Sequence, residues 1–105
     1  MILTEENLKQ TVKENELVIV DFWAPWCGPC RALGGVLQAL EAELEDQVLI
    51  GKVNVDEQQQ LAVDHSISAI PVLVFYKNGE ERKSLVGVQS RESIMAVIDD
   101  LKKGD

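Results

Sequence analysis

The chain has 105 residues, 46% of them hydrophobic and 27% charged, which predicts one compact domain spanning residues 1–105. Its 18 acidic and 10 basic residues give a net charge of −8, which disfavours partners such as nucleic acid or an anionic membrane surface and favours solubility. The sequence contains no basic leader and no apolar run of about 18 residues, so we expect a cytoplasmic protein, although a leader removed earlier would leave no trace.

The first elements are a short helix and a buried strand. Thr4 precedes two glutamates and is typical of a helix N-cap, so we expect a helix that ends near Asn15, after a stub of strand at residues 2–3. Residues 17–20 form a continuous apolar and mostly β-branched run. This run predicts a strand buried on both faces, which continues through Trp23.

The later elements alternate and then end in a hairpin. A long helix is predicted from about Cys27, then a short helix after residues 58–60 and a final helix capped by Ser90. Strands are predicted at three further runs, residues 48–55, 72–76 and 83–86, the last two joined by a turn at residues 78–79. This order predicts an α/β fold: a central mixed sheet with a parallel core and a C-terminal antiparallel hairpin, flanked by helices on both faces.

The two cysteines, Cys27 and Cys30, stand in a C-G-P-C sequence where the first strand gives way to the long helix. Residues three apart in a helix have Cα atoms about 5 Å apart, within the roughly 4.4–6.8 Å that a disulfide accepts. Unpaired N–H groups at the helix start stabilise a thiolate, so we expect an exposed nucleophile at Cys27 and a less exposed resolving thiol at Cys30. The pair therefore predicts thiol–disulfide exchange.

Two other interpretations of the cysteine pair stay open from the residues alone. A zinc site needs about four ligands, and besides the cysteines the chain offers a single histidine, His65. An inert pair that arose by chance is the other alternative. We expect no metal site and no bound cofactor, because the sequence contains neither a G-x-G-x-x-G motif nor a P-loop.

The octapeptide W-A-P-W-C-G-P-C at residues 23–30 resembles the active-site sequence of the thioredoxin family, and the resemblance covers essentially the whole chain. Further matches stand in the expected order: V-D-F-W-A around Asp21, K-V-N-V-D from Lys52, A-I-P from Ala69, and N-G followed by V-G at Gly79 and Gly87. The resemblance implies a protein-disulfide reductase with a redox-active Cys27–Cys30 disulfide. It also implies disulfide-containing target proteins and recycling by a thioredoxin reductase. The oligomeric state stays open, and nothing in the sequence suggests more than a monomer.

Asp21 and Lys52 are the implied partners of the cysteines. A carboxylate within a buried apolar run costs several kcal/mol unless it is paired or protonated, and burial raises its pKa toward neutrality. The resemblance implies that Asp21 lies beneath the active site, beside Lys52, and helps to take the proton from Cys30. An edge aspartate bonded to the backbone and a solvated lysine are the alternatives.

The resemblance also implies a cis bond at Ile70-Pro71, which leaves the Ile70 backbone free to pair with an extended target. Trp26 is expected to be exposed beside the nucleophile, with a place in the core as the alternative, and Trp23 is assigned to packing beneath the site. The implied substrate-binding residues are Trp26, Gly28, Pro29, Ala69, Ile70, Pro71, Gly87 and Val88.

Several positions depart from the family pattern. Gly35 stands where many members have a helix-kinking proline, and Gly34 precedes it; each glycine costs roughly 1 kcal/mol in a helix interior, which leaves the bend and the stability open. Val72 and Ser68 replace a frequent threonine and a frequent basic residue, and His65 is expected at a helix end on the surface, with no role. An oxidase or isomerase on the same fold and a binding subunit with an anchoring dithiol remain the rival functions.

Overall fold

The structure, a computed structural model, describes residues 1–104. Its elements follow the predicted order, with one additional short 3₁₀ helix at Glu45–Gln47. They are α1 (Leu8–Glu14), β1 (Leu17–Trp23), α2 (Gly28–Leu44), β2 (Leu49–Asn54), α3 (Gln59–Asp64), β3 (Val72–Lys77), β4 (Glu80–Val86) and α4 (Arg91–Lys103).

The predicted N-cap at Thr4 is wrong, because α1 begins only at Leu8 and has Asn7 at its N-cap. The Thr4 hydroxyl instead accepts from the Glu6 N–H at 3.2 Å, and the Thr4 N–H donates to Asn7 Oδ1 at 2.8 Å. Thr4 therefore closes a turn that leads into the helix. The cap predicted at Ser90 is confirmed, since its hydroxyl accepts from the Ser93 N–H at 3.1 Å.

The four strands form a mixed sheet in the order β2-β1-β3-β4, which confirms the predicted fold class. The parallel part is narrower than predicted: β1 pairs in parallel with β2, whereas β3 runs antiparallel to both β1 and β4. The six residues of α3 rise only about 9 Å, too little to run back along a strand of about 20 Å. The chain therefore enters β3 at the end of the sheet where β2 finished.

Helices cover both faces of the sheet, as predicted. Alternate residues of β1 point to opposite faces, so Leu17 and Ile19 pack under α2 and α4 while Val18 and Val20 pack against α1 and α3. Residues 21 and 23 share the α2 face with Ile19 because they continue the same alternation. This parity places the Asp21 side chain between the sheet and α2.

The two edges of the sheet are finished differently. Beyond β2, the N-terminal stub pairs through a bridge between Ile2 and Lys52, and Leu3 is fully buried over Gly51, where a Cβ would clash with the Leu3 side chain. On the opposite edge, β4 is almost entirely exposed and begins with charged residues of both signs, at positions 80–83. No helix within residues 1–104 is long and apolar enough to cross a membrane.

Candidate active site

The cysteine pair lies where β1 gives way to α2. Cys27 is the N-cap of α2, and its Sγ accepts a hydrogen bond from the Cys30 N–H at 3.2 Å. The two residues are joined by a disulfide, with their Cα atoms 5.3 Å apart, close to the spacing expected for a pair in the first turn of a helix. The predicted start of the long helix is confirmed, and Pro29 occupies its first turn, where a missing N–H costs nothing.

The prediction that Cys27 is exposed is wrong. Cys27 is 5% exposed and Cys30 2%, so their order follows the prediction but both residues are buried. They form a small cluster with Ala24, against which the partly buried side chains of Trp23, Val55 and Ile70 pack. Because Val55 and Ile70 come from loops distant in sequence, the position of Cys27 at the helix start did not reveal that they cover it.

Asp21 is fully buried, and neither carboxylate oxygen has a hydrogen-bond partner within residues 1–104. Burial raises the pKa of Asp21 from 3.8 to about 6, and the positive charge of Lys52 opposes that rise. The alternative of an edge aspartate bonded to the backbone is therefore wrong. An acid with this pKa exchanges its proton close to neutral pH.

Lys52 lies on β2 directly opposite Asp21 in the parallel register. Its Nζ is 4.8 Å from the centroid of the Trp23 ring, a cation–π contact that holds the ammonium beneath the site. The side chain is half-buried rather than fully solvated. Lys52 and Trp23 thus both sit next to the buried carboxylate.

An open groove of about 530 Å³ runs beside the cysteines. Its lining combines three of the predicted substrate-binding residues with four others: Trp26, Ala69 and Ile70, with Val55, Ala62, Ile67 and Ser68. Trp26 is 67% exposed, so its alternative place in the core is wrong.

The remaining predicted binding residues do not line this groove. The Ile70-Pro71 bond is cis, as the resemblance implied, and the Gly87 N–H donates to the Pro71 carbonyl at 2.8 Å. Gly87 has a φ of 90°, which favours glycine, and Val88 beyond it is 52% exposed. Gly28 and Pro29 are exposed at the start of α2.

Comparison with known proteins agrees with this geometry. The family model described as Thioredoxin matches residues 1–100. The chain belongs to the thioredoxin family. It is 39% identical over 101 residues to the thioredoxin of Alicyclobacillus acidocaldarius, covering 96% of both chains.

Solved thioredoxin structures are also similar to this one. A mutant thioredoxin from Halobacterium salinarum superposes with a TM-score of 0.88 at 29% identity, over 96% of this chain and 88% of that one. The thioredoxin of Fasciola hepatica gives 0.86 at 34% identity, over 94% and 96%. With its cysteines at disulfide distance, this thioredoxin-family chain is a protein dithiol–disulfide oxidoreductase.

Sequence reasoning missed one residue of this thioredoxin site. Trp26 Nε1 donates to Asp56 Oδ2 at 2.9 Å, which fixes the exposed indole at the mouth of the groove. Asp56 follows β2, in a stretch that matches the family pattern, but it is 30 residues from Trp26 in the chain. No local spacing relates the two, so only the pairing of β2 with β1 brings them together.

His65 lies at a helix end, as predicted, but it is not on the surface. It is half-buried at the end of α3, with Nδ1 2.9 Å from the Leu61 carbonyl and Nε2 2.8 Å from the Tyr76 hydroxyl. A carbonyl only accepts, so Nδ1 donates and Nε2 accepts from the tyrosine, whose pKa burial and the nearby Glu81 raise to about 12. His65 therefore links α3 to β3 through this hydrogen bond. Within residues 1–104, no group of side chains is arranged to hold a metal.

Proposed function

We propose that residues 1–105 act as a single thioredoxin domain that reduces disulfides in target proteins, with Cys27 as nucleophile and Cys30 as resolving thiol. One observation carries the proposal. The disulfide at the start of α2 lies at the end of the strand that buries an unpartnered carboxylate, Asp21, with a pKa of about 6. This combination supplies both an attacking sulfur and a proton acceptor.

In the first step the Cys27 thiolate attacks one sulfur of the target disulfide. A new bond forms between the two sulfurs, the target disulfide breaks, and the departing target sulfur leaves as a thiolate that takes a proton from solvent. The Cys30 N–H already points at Cys27 Sγ and stabilises negative charge there, together with the other free N–H groups at the helix start.

In the second step Cys30 releases the target. Asp21 accepts the thiol proton, the Cys30 sulfur attacks Cys27, and the target leaves as its second thiolate while the Cys27–Cys30 disulfide forms. With a pKa of about 6, Asp21 is mostly ionised at pH 7 and still basic enough to bind a proton. Lys52 keeps the ionised form accessible despite the burial.

The target segment pairs with the backbone of Ile70. Within residues 1–104 neither its N–H nor its C=O has a backbone partner, so an extended segment can form strand-like hydrogen bonds there. The groove beside Trp26 then receives an apolar side chain of the target. We assign the remaining contacts with the target to Gly28, Pro29, Ala69, Pro71, Gly87 and Val88.

The reaction leaves the protein oxidised, so it needs an external supply of electrons. We assign that role to a thioredoxin reductase, and we place the protein in the cytoplasm as a monomer without nucleic-acid or membrane partners and without a bound cofactor. The acidic composition and the self-contained dithiol support this assignment.

Insulin reduction by dithiothreitol tests the function. Catalytic amounts of this protein accelerate the reaction, and Cys27→Ser returns the rate to that of dithiothreitol alone because no nucleophile remains. Cys30→Ser accumulates the mixed disulfide with insulin, visible as a mass adduct. A folded protein with both thiols free that gives no acceleration would contradict the reductase and favour a binding subunit.

A further inference from the structure

Gly34 is the point at which α2 crosses over Lys52. A Cβ built on Gly34 would lie 3.5 Å from Lys52 Nζ, whereas one built on its neighbour Gly35 would meet nothing within 4 Å. The helix is continuous from Gly28 to Leu44, so the glycine pair does not mark a break. The two glycines therefore face different surroundings: Gly34 faces the ammonium, and Gly35 faces solvent.

The Lys52 ammonium has close neighbours on β1 and α2. The Trp23 ring lies 4.8 Å from Nζ, and the carboxylate of Asp21 belongs to the residue opposite in the register. Gly34 and Lys52 also line a cleft of about 330 Å³ that opens between α2 and β2. The other lining residues are Met1, Leu37, Gln38, Glu41 and Ile50.

We propose that Gly34 is a positioning residue for the proton-transfer step: its missing side chain leaves the space in which the Lys52 ammonium supports the ionised form of Asp21. The inference rests on the proposed function for its role in the cycle. A methyl group at residue 34 would touch the ammonium at ordinary van der Waals distance. Any longer side chain would occupy the position of Nζ or fill the cleft beside it.

A displaced ammonium would move away from the buried carboxylate. The charged groups around the cleft are Lys52 on β2, Glu41 on α2 and the amine of Met1 at the N-terminal stub. Glu41 would attract Lys52 outward, while Asp21 would keep its burial and lose its nearest positive charge. The protonated form of Asp21 would then persist to higher pH, and Cys30 would lose its proton acceptor near neutrality.

The test compares Gly34→Leu with Gly35→Leu. Both variants exchange a glycine for leucine in the same helix, so both gain the same helix propensity, but only the first contacts Lys52. We measure the midpoint of Asp21 titration from its carboxyl ¹³C chemical shift, with no target protein present. We expect a midpoint raised by about 0.5–1 pH unit in Gly34→Leu and unchanged in Gly35→Leu.

Lys52→Met separates positioning from a structural effect. In the Lys52→Met background, Gly34→Leu should leave the Asp21 midpoint where Lys52→Met alone puts it, since no ammonium remains to displace. A shift that persists without Lys52, or no shift when Lys52 is present, would overturn the proposal. If Gly34→Leu does not fold, Gly34→Met supplies an unbranched side chain of similar length for the same comparison.

The measurement distinguishes this inference from the reductase activity. If the protein is inactive but its Asp21 titration midpoint still responds to residue 34, the proposed function is contradicted. The electrostatic coupling of residue 34 to Asp21 through Lys52 is then still supported. In an active protein, single-turnover release of insulin from the Cys27 mixed disulfide should show the same shift in its pH profile. The pH dependence of the initial attack by Cys27 should be the same in Gly34→Leu as in the wild-type protein.

Discussion

Two charged side chains are buried on the α2 and α4 face of the sheet, at opposite ends, and they differ in how they are satisfied. Asp21, near the end of β1 that leads to the cysteines, is fully buried and has no hydrogen-bond partner within residues 1–104. Lys77, at the far end of β3, is 2% exposed, and its ammonium donates to the carbonyls of Leu101 and Gly104.

Burial alone does not distinguish these two charged side chains, but their hydrogen-bond partners do. Lys77 caps the last turn of α4, where free carbonyls carry partial negative charge, so its burial serves the fold. The Asp21 carboxylate is buried and has no hydrogen-bond donor, which costs stability and raises its affinity for a proton. The buried charge that has hydrogen-bond partners therefore stabilises the fold, and the one without partners is the proton acceptor that we propose.

Lys77→Met should produce the largest loss of stability. The apolar side chain fits the buried site but leaves two helix-end carbonyls without their donor, and we expect the free energy of unfolding to fall by about 3 kcal/mol. Urea unfolding measures the change. Lys83→Met, the same substitution on exposed β4, should stay within about 0.5 kcal/mol; equal effects for the two variants would contradict a capping role for Lys77.

Asp21→Asn should change stability in the opposite direction. The folded pKa of about 6 lies above the unfolded value of 3.8, so the contribution of Asp21 is fully present below pH 3.8 and is lost as pH rises through 6. Removing the charge should therefore raise the free energy of unfolding by about 3 kcal/mol at pH 7. It should also slow release of the target, because Cys30 loses its proton acceptor.

Urea midpoints collected from pH 4 to pH 8 check this prediction. The wild-type protein should lose stability across the window between the two pKa values, and Asp21→Asn should lack that contribution. Asp99→Asn, at an exposed position of α4, supplies the control for loss of one surface charge. A wild-type stability that rises across the same window as much as that of Asp21→Asn would show that burial of Asp21 carries no cost.

Tyr76→Phe should have the smallest effect, because it removes a single hydrogen bond, between the buried Tyr76 hydroxyl and the half-buried His65. The variant deletes the hydroxyl that bonds to His65 Nε2, and we expect a loss of about 1 kcal/mol in the free energy of unfolding. A melting temperature lower by roughly 4–8 °C would report it. Insulin reduction should be unchanged, and a large loss of activity would mean that the contact between α3 and β3 shapes the binding groove.

Local patterns revealed much of this molecule because they depend on neighbours in sequence. The leucine repeat of α2 and the apolar run of β1 specified buried faces, and residues 78–79 specified a hairpin, confirmed by positive φ at Asn78 and Gly79. The cis bond at Pro71 came from the resemblance and not from any propensity.

The sequence was silent where residues meet through the tertiary fold. The direction of β3 depended on the length of α3, and the covering of Cys27 depended on Val55 and Ile70. The burial of Lys77 was equally hidden, because a lysine that ends a strand is ordinarily solvated and only the course of α4 supplies its acceptors. Contacts of this kind need the assembled sheet before they can be stated.

The finish of the two sheet edges has a consequence for how the protein behaves in a crowded solution. Open edge strands are templates for aggregation, because any extended chain can add to their free N–H and C=O groups. Here the stub at residues 2–3 covers one edge, and mixed charges at positions 80–83 discourage stacking on the other. Copies of the chain can therefore collide often without polymerising, and the place that we propose for an incoming strand is the backbone of Ile70, outside both sheet edges.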